Sequence, residues 1–199
     1  MRNGLGRLAL VQLTIGLGLG AMFDASPTQA LPGQSVEEVA AWIQSHPTLQ
    51  PASGETLLVR RSDTPARRFT FEALTTLPIR AEQGGGEIRT EQISLFDRIN
   101  GVTRQRLEES LQVIYGAEIY QDFDRARSVY QYPTPEMVNA AENRDTPLLE
   151  LIEGEVRQGE RFAYWLEIAQ TPEGTAYTGQ ISVFLPEDVE KLVLELQNR

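Results

Sequence analysis

Glu155-Val-Arg-Gln-Gly-Glu-Arg-Phe-Ala-Tyr-Trp-Leu-Glu-Ile-Ala-Gln-Thr-Pro-Glu-Gly-Thr-Ala-Tyr-Thr-Gly-Gln-Ile-Ser-Val-Phe-Leu185 is the stretch whose reading decides the fold. Gln158-Gly159 and Thr171-Pro172-Glu173-Gly174 are turn sequences and cut it into three runs. In Arg161–Gln170 the residues Phe162, Tyr164, Leu166 and Ile168 recur with the two-residue period of a strand. In Ala176–Leu185 the positions Tyr177, Gly179, Ile181, Val183 and Leu185 likewise share a face. Turns this short join only antiparallel neighbours, so the stretch is a meander.

Downstream, Pro186-Glu187-Asp188 opens a last helix with Val189, Leu192, Val193 and Leu196 as its apolar stripe. Its acidic residues fall in the first turn, where the helix dipole favours them. Upstream, Thr134-Pro135-Glu136 starts another helix running to about Asn143, and Thr146-Pro147 begins a segment that fits either a helix or a strand. Arg127–Tyr132 alternates and is closed by Pro133. Thr103 caps a helix striped with Leu107, Leu111 and Ile114. Gly116 stands where a left-handed glycine would end that helix, and Ala117–Asp124 follows as a second short one.

The amino-terminal half has a similar order. Ser35-Val36-Glu37-Glu38 is a capping box for a helix that ends at His46-Pro47. Thr56–Ser62 and Arg67–Thr76 read as a hairpin around Asp63-Thr64-Pro65. A third strand, Glu87–Phe96, follows the Gly84-Gly85-Gly86 connection and leads to a turn at Asn100-Gly101. Antiparallel strands interspersed with helices predict an α+β domain, with helices packed on one face of a twisted, mostly antiparallel sheet. A weak internal echo is also present: Gly54-Glu55 followed by Arg68-Phe69-Thr70-Phe71 matches Gly154-Glu155 followed by Arg161-Phe162-Ala163-Tyr164.

Met1–Ala30 reads as an export signal. It has a basic start (Arg2, Arg7), an apolar stretch from Leu8 to Met22, and small residues before a cleavage point after Ala30. One α+β domain, residues 31–199, is then expected to remain. Losing Arg2, Arg7 and Asp24 takes the net charge from −10 to −11, which argues against nucleic-acid binding and favours cationic partners. After Met22 no apolar run approaches the roughly 20 residues of a membrane span, so a soluble extracytoplasmic protein is expected once the signal is removed.

The inventory also filters chemistry. With no cysteine, disulfides, thiolate metal sites, a thiol nucleophile and a lipoprotein anchor are excluded. His46 is the only histidine and sits at a helix end, a capping position. Lys191 is the only lysine and lies on the last helix among acidic neighbours. The glycine run carries neither phosphate-loop nor dinucleotide spacing. No catalytic residue, metal site or cofactor is assigned from sequence.

Three candidate features remain. Carboxylates at Asp97, Asp122, Asp124, Glu150, Glu153 and Glu155 would serve a hydrolase or calcium, although acidic residues are too numerous for proximity to mean much. Tyr115, Tyr120, Phe123, Tyr130 and Tyr132 would line a ligand groove, although aromatics on helices and strands usually pack in cores. Arg60, Arg61, Arg67 and Arg68 crowd one hairpin tip in an otherwise acidic chain. Alternation sends each adjacent pair to opposite faces, so two converge on one side to bind an anionic partner. The competing reading is a charged hairpin edge that discourages strand pairing.

The stretches Gly54–Ser62 (Gly-Glu-Thr-Leu-Leu-Val-Arg-Arg-Ser), Phe96–Thr103 (Phe-Asp-Arg-Ile-Asn-Gly-Val-Thr), Leu107–Gly116 and Gly179–Leu185 resemble those of small exported proteins of cyanobacteria. The resemblance implies a periplasmic or thylakoid-lumen location and carries no activity or site residue. By elimination, the sequence favours a non-catalytic accessory protein that docks on a protein partner. A carboxylate-dependent hydrolase and a small-ligand carrier are the alternatives.

Overall fold

The computed structural model describes residues 31–77, 86–144 and 151–198. The leader, Gly84-Gly85 of the glycine run, Thr146 to Leu149 and Glu150 lie outside the described residues. Five helices and seven strands are present among the described residues: α1 (Val36–Ser45), β1 (Leu58–Thr64), β2 (Arg67–Leu74), β3 (Thr90–Asp97), α2 (Arg104–Tyr115), α3 (Ala117–Arg125), β4 (Arg127–Tyr132), α4 (Pro135–Arg144), β5 (Ile152–Gln158), β6 (Ala163–Gln170), β7 (Ala176–Phe184) and α5 (Val189–Gln197). The strands form one sheet in the order β1-β2-β3-β7-β6-β5-β4, antiparallel throughout. The fold is α+β, as the alternation of strands and helices predicts.

Local chemistry sets the element boundaries. Ser35 Oγ accepts from the Glu38 backbone N–H while the Glu38 carboxylate accepts from the Ser35 N–H at 2.9 Å, so two orphan donors of α1 are satisfied. His46 closes α1. Its Nδ1 accepts from the backbone N–H groups of Thr48 and Leu49, both at 3.2 Å, and its Nε2 lies 3.0 Å from the Ile114 carbonyl. An acceptor at Nδ1 fixes the Nε2–H tautomer, and burial lowers the imidazole's proton affinity. Gly116 (φ +80°, ψ −174°) has the positive φ expected of it but an extended ψ, so it turns α2 directly into α3.

Alternation along the strands builds two cores. On the front face, Phe71, Ile93, Ile181, Val183, Tyr164 and Leu166 pack against Val39, Trp42 and Ile43 of α1, Leu107 and Leu111 of α2, and Ile119 and Phe123 of α3. On the back face, Val156, Ala163, Trp165 and Phe184 pack against Val189, Leu192 and Leu196 of α5, with Met137 of α4 alongside. Helices therefore cover both faces, where the sequence pattern led us to expect one. The reason lies in β6: Ala163, Tyr164, Trp165 and Leu166 are all buried, so the strand is apolar on both sides. A two-residue alternation count registers only one of them.

The back face over β1, β2 and β3 is polar and carries no described helix. Thr70, Ser94 and Gln180 form one row across it, and Gln92 Nε2 donates to both Ser94 Oγ (3.0 Å) and Gln180 Oε1 (2.9 Å). The internal echo is limited to strand order. The connections differ: β2 and β3 are joined by residues 75–89 but β6 and β7 only by 171–175, so no single offset relates both strand pairs. The helices diverge as well, since α1 and α2 take the front face and α4 and α5 the back.

Candidate functional site

The four hairpin arginines divide as alternation requires. Arg61 pairs with Phe69 and Arg67 with Asp97, both on the front face, whereas Arg60 pairs with Thr70 and Arg68 with Phe96 on the back. They are not equivalent. The Arg61 guanidinium donates to the carbonyls of Leu49 and Gln50, holding the loop after α1, where Gln50 has a positive φ of 36°. Arg68 lies over the Phe96 ring at 5.2 Å, a cation–π contact at an exposed site. Arg67 is 3.9 Å from Asp63, both side chains well exposed. Arg60 is exposed, and its backbone N–H donates to Glu55 Oε1, which blocks one donor on the open edge of β1.

Tertiary structure adds one cation that the hairpin sequence does not contain. The first turn of α2 brings Arg106 to Asp97 at 3.0 Å, and the Arg98 N–H donates to the carbonyl of Ala66 in the hairpin turn at 2.9 Å. Asp97 is nearly fully buried and also accepts from the Ile99 and Asn100 N–H groups. The Asn100 N–H foremost, then the Ile99 N–H and Arg106, hold its carboxyl down to about 2 against its burial. Arg61, Arg67, Arg68 and Arg106, with Phe69, Leu95 and Phe96, line a cavity of about 240 Å³ at this end of the sheet. Arg106 lies about forty residues beyond the hairpin in sequence, so no local spacing rule reveals that it joins the cluster.

The carboxylates singled out from sequence are mostly occupied. Asp122 receives the backbone N–H groups of Glu160, Arg161 and Phe162 and the hydroxyl of Tyr164, so it clamps the β5–β6 turn onto α3. Glu155 is buried against Arg104, Arg157 and Gln131. Burial alone would push its carboxyl up, but hydrogen bonds from Arg157 and Gln131 outweigh it and hold the group at about 2. Glu153 and Glu155 line a second cavity, of about 340 Å³, but a carboxyl ionised down to that pH donates no proton to a leaving group. Asp124 is exposed on α3.

Glu91, absent from the sequence candidates, is the one carboxyl among the described residues whose proton affinity is found raised. Burial pushes it up to about 7, opposite the Tyr115 hydroxyl in the front core. It lines neither of these two cavities.

The aromatic cluster does not form a groove. Tyr115 and Phe123 are buried in the front core with Tyr120 packed beside them, while Tyr130 and Tyr132 belong to the back. Among the described residues no group of three or more acidic or histidine side chains is placed to hold a metal, and no helix is long and apolar enough to cross a membrane. Comparison with protein-family models, curated proteins and solved structures yields no match.

Proposed function

We propose that this chain is an exported, non-catalytic accessory protein that docks on a partner protein in the periplasm or thylakoid lumen through the arginine end of its sheet. The observation that carries the reading is the 240 Å³ cavity where four guanidinium groups gather in a chain of net charge −10. Self-repulsion does not disperse them, because Asp97, the Phe96 ring and main-chain carbonyls hold them in place. The cavity is smaller than the roughly 300–1,000 Å³ of pockets that enclose a whole small ligand, which favours a partner's side chain over a carried molecule. The export signal read in Met1–Ala30 supports the compartment.

Chemical crosslinking in the native envelope, followed by mass spectrometry, tests the docking. A single partner identified with the wild type and lost when Arg67 and Arg68 are both reversed to Glu is the expected result. An unchanged partner set overturns the reading. Sequencing the amino terminus of the exported protein tests the compartment, with a start near Leu31 expected and an intact Met1 in the membrane fraction decisive against it.

A further inference from the structure

The chemistry of the partner can be taken further, on the footing of the docking reading above. Phe69 and Leu95, paired across β2 and β3, give the end cavity an apolar floor. Its four arginines face two acids. Asp97 is fully engaged by Arg106 and two backbone N–H groups, and Asp63 is an exposed residue at the long limit of an ion pair, which holds Arg67 weakly. Carbonyls satisfy the N–H groups of Arg61 without neutralising it, and the Phe96 ring does the same for Arg68. Arg67 Nε is enclosed with no acceptor among the described residues. Glu55, whose carboxyl the Ala52 N–H foremost, and Arg60 and Arg61 after it, hold down, stands outside the lining, so the lining itself carries two positive charges in excess beside an apolar floor.

We infer that the cavity takes a short acidic segment of a partner protein, with an apolar side chain on Phe69 and Leu95 and flanking Asp or Glu residues paired with Arg67 and Arg68. A lone carboxylate would neutralise only half of the excess. A nucleic acid, charged every ~1.7 Å along its axis, would run past the patch onto an acidic surface that repels it. A short acidic segment ends where the arginines end, and the apolar floor adds an anchor that charge alone does not use.

The test is a titration of the full chain with fluorescently labelled peptides, read by anisotropy at low and high salt. One peptide carries an apolar residue flanked by carboxylates. A second replaces the apolar residue by Ser, a third replaces the acids by their amides, and a single-stranded oligonucleotide of equal charge completes the set. The first should bind, and each peptide change should weaken binding about tenfold. Arg67→Glu combined with Arg68→Glu should abolish binding, while Arg125→Glu with Arg161→Glu, which alters the cavity at the opposite corner of the sheet, should leave it unchanged. Equal binding of the Ser peptide or the oligonucleotide, or equal loss in the Arg125/Arg161 variant, overturns the inference. If no peptide binds yet reversal still removes the crosslinked partner, this partner chemistry falls and the docking reading stands. If reversal affects neither, both fall.

Discussion

The Tyr164 hydroxyl donates to Asp122 Oδ2 at 2.7 Å, and the same carboxylate receives three consecutive backbone N–H groups from Glu160, Arg161 and Phe162. One side chain on α3 therefore orders a turn and satisfies a buried phenol. Asp122→Ala should cost about 2–3 kcal/mol, because charge-assisted bonds are lost and a buried hydroxyl keeps only the long contact to the Ile119 carbonyl. Urea denaturation measures the loss, and faster amide exchange confined at first to residues 160–162 locates it. Asp122→Asn, which keeps one acceptor oxygen, should lie between.

Tyr132 lies across Gly154 on the neighbouring strand. A Cβ at position 154 would fall 2.1 Å from Tyr132 Cζ, so Gly154→Ala must displace the ring. That movement breaks the bond from Trp165 Nε1 to the Tyr132 hydroxyl, 2.8 Å long in the back core. A destabilisation of about 3 kcal/mol is expected from overpacking together with the lost bond. The Trp165 emission should shift with it, and a variant of unchanged stability and emission would contradict the contact.

Glu91 makes stability fall as pH rises. Its folded-state value of about 7 lies above the ordinary 4.5, so the folded chain holds a proton that the unfolded chain has released. This contribution is fully present below about pH 4.5 and is lost as pH rises through 7, a difference of about 3 kcal/mol. Denaturation midpoints between pH 4.5 and 8.5 should decline for the wild type. The Glu91→Gln variant should remove that part of the slope and be the more stable protein at pH 8.

His46 works in the opposite sense. Burial depresses its folded-state value below the ordinary 6.5, so its contribution is present above that pH and declines as pH falls below it. Nitrogen chemical shifts should show the Nε2–H tautomer persisting below pH 6.5. An imidazole that titrates at its ordinary value would contradict the burial that lowers it.

Arg61 and Arg67 share a face but not a role. Arg61→Ala should cost about 1 kcal/mol, since it frees the loop carbonyls of Leu49 and Gln50. Arg67→Ala, whose ion partner Asp63 is exposed and distant, should stay within about 0.5 kcal/mol of the wild type. Parallel thermal denaturation distinguishes the two, and equal losses would remove the structural assignment of Arg61.

The strands and most helix ends were legible because their signals are local: the capping box at Ser35, the turn at Gln158-Gly159 and the alternation of Phe162, Tyr164, Leu166 and Ile168. The second covered face was not, because Ala163 and Trp165 are apolar in a strand already read as one-sided. Half of the candidate site followed from alternation at the hairpin, which sends Arg61 and Arg67 to one face. Arg106 joins it only through the packing of α2 against the end of β3. Glu91 escaped notice because one acid among alternating strand residues gives no sign that both its neighbours and the helices above will bury it.

The two sets of strands, β1-β2-β3 and β5-β6-β7, each pair neighbours along the chain, but the seam between β3 and β7 joins distant positions. Gln92 and Gln180, bonded across it, stand 88 residues apart. Closing so long a loop carries an entropic cost that neither set of strands bears internally, and contacts of high sequence separation slow folding more than they affect stability. The β3–β7 seam is therefore where pairing is expected to form last, and substitutions that weaken it are expected to slow folding more than those inside either half.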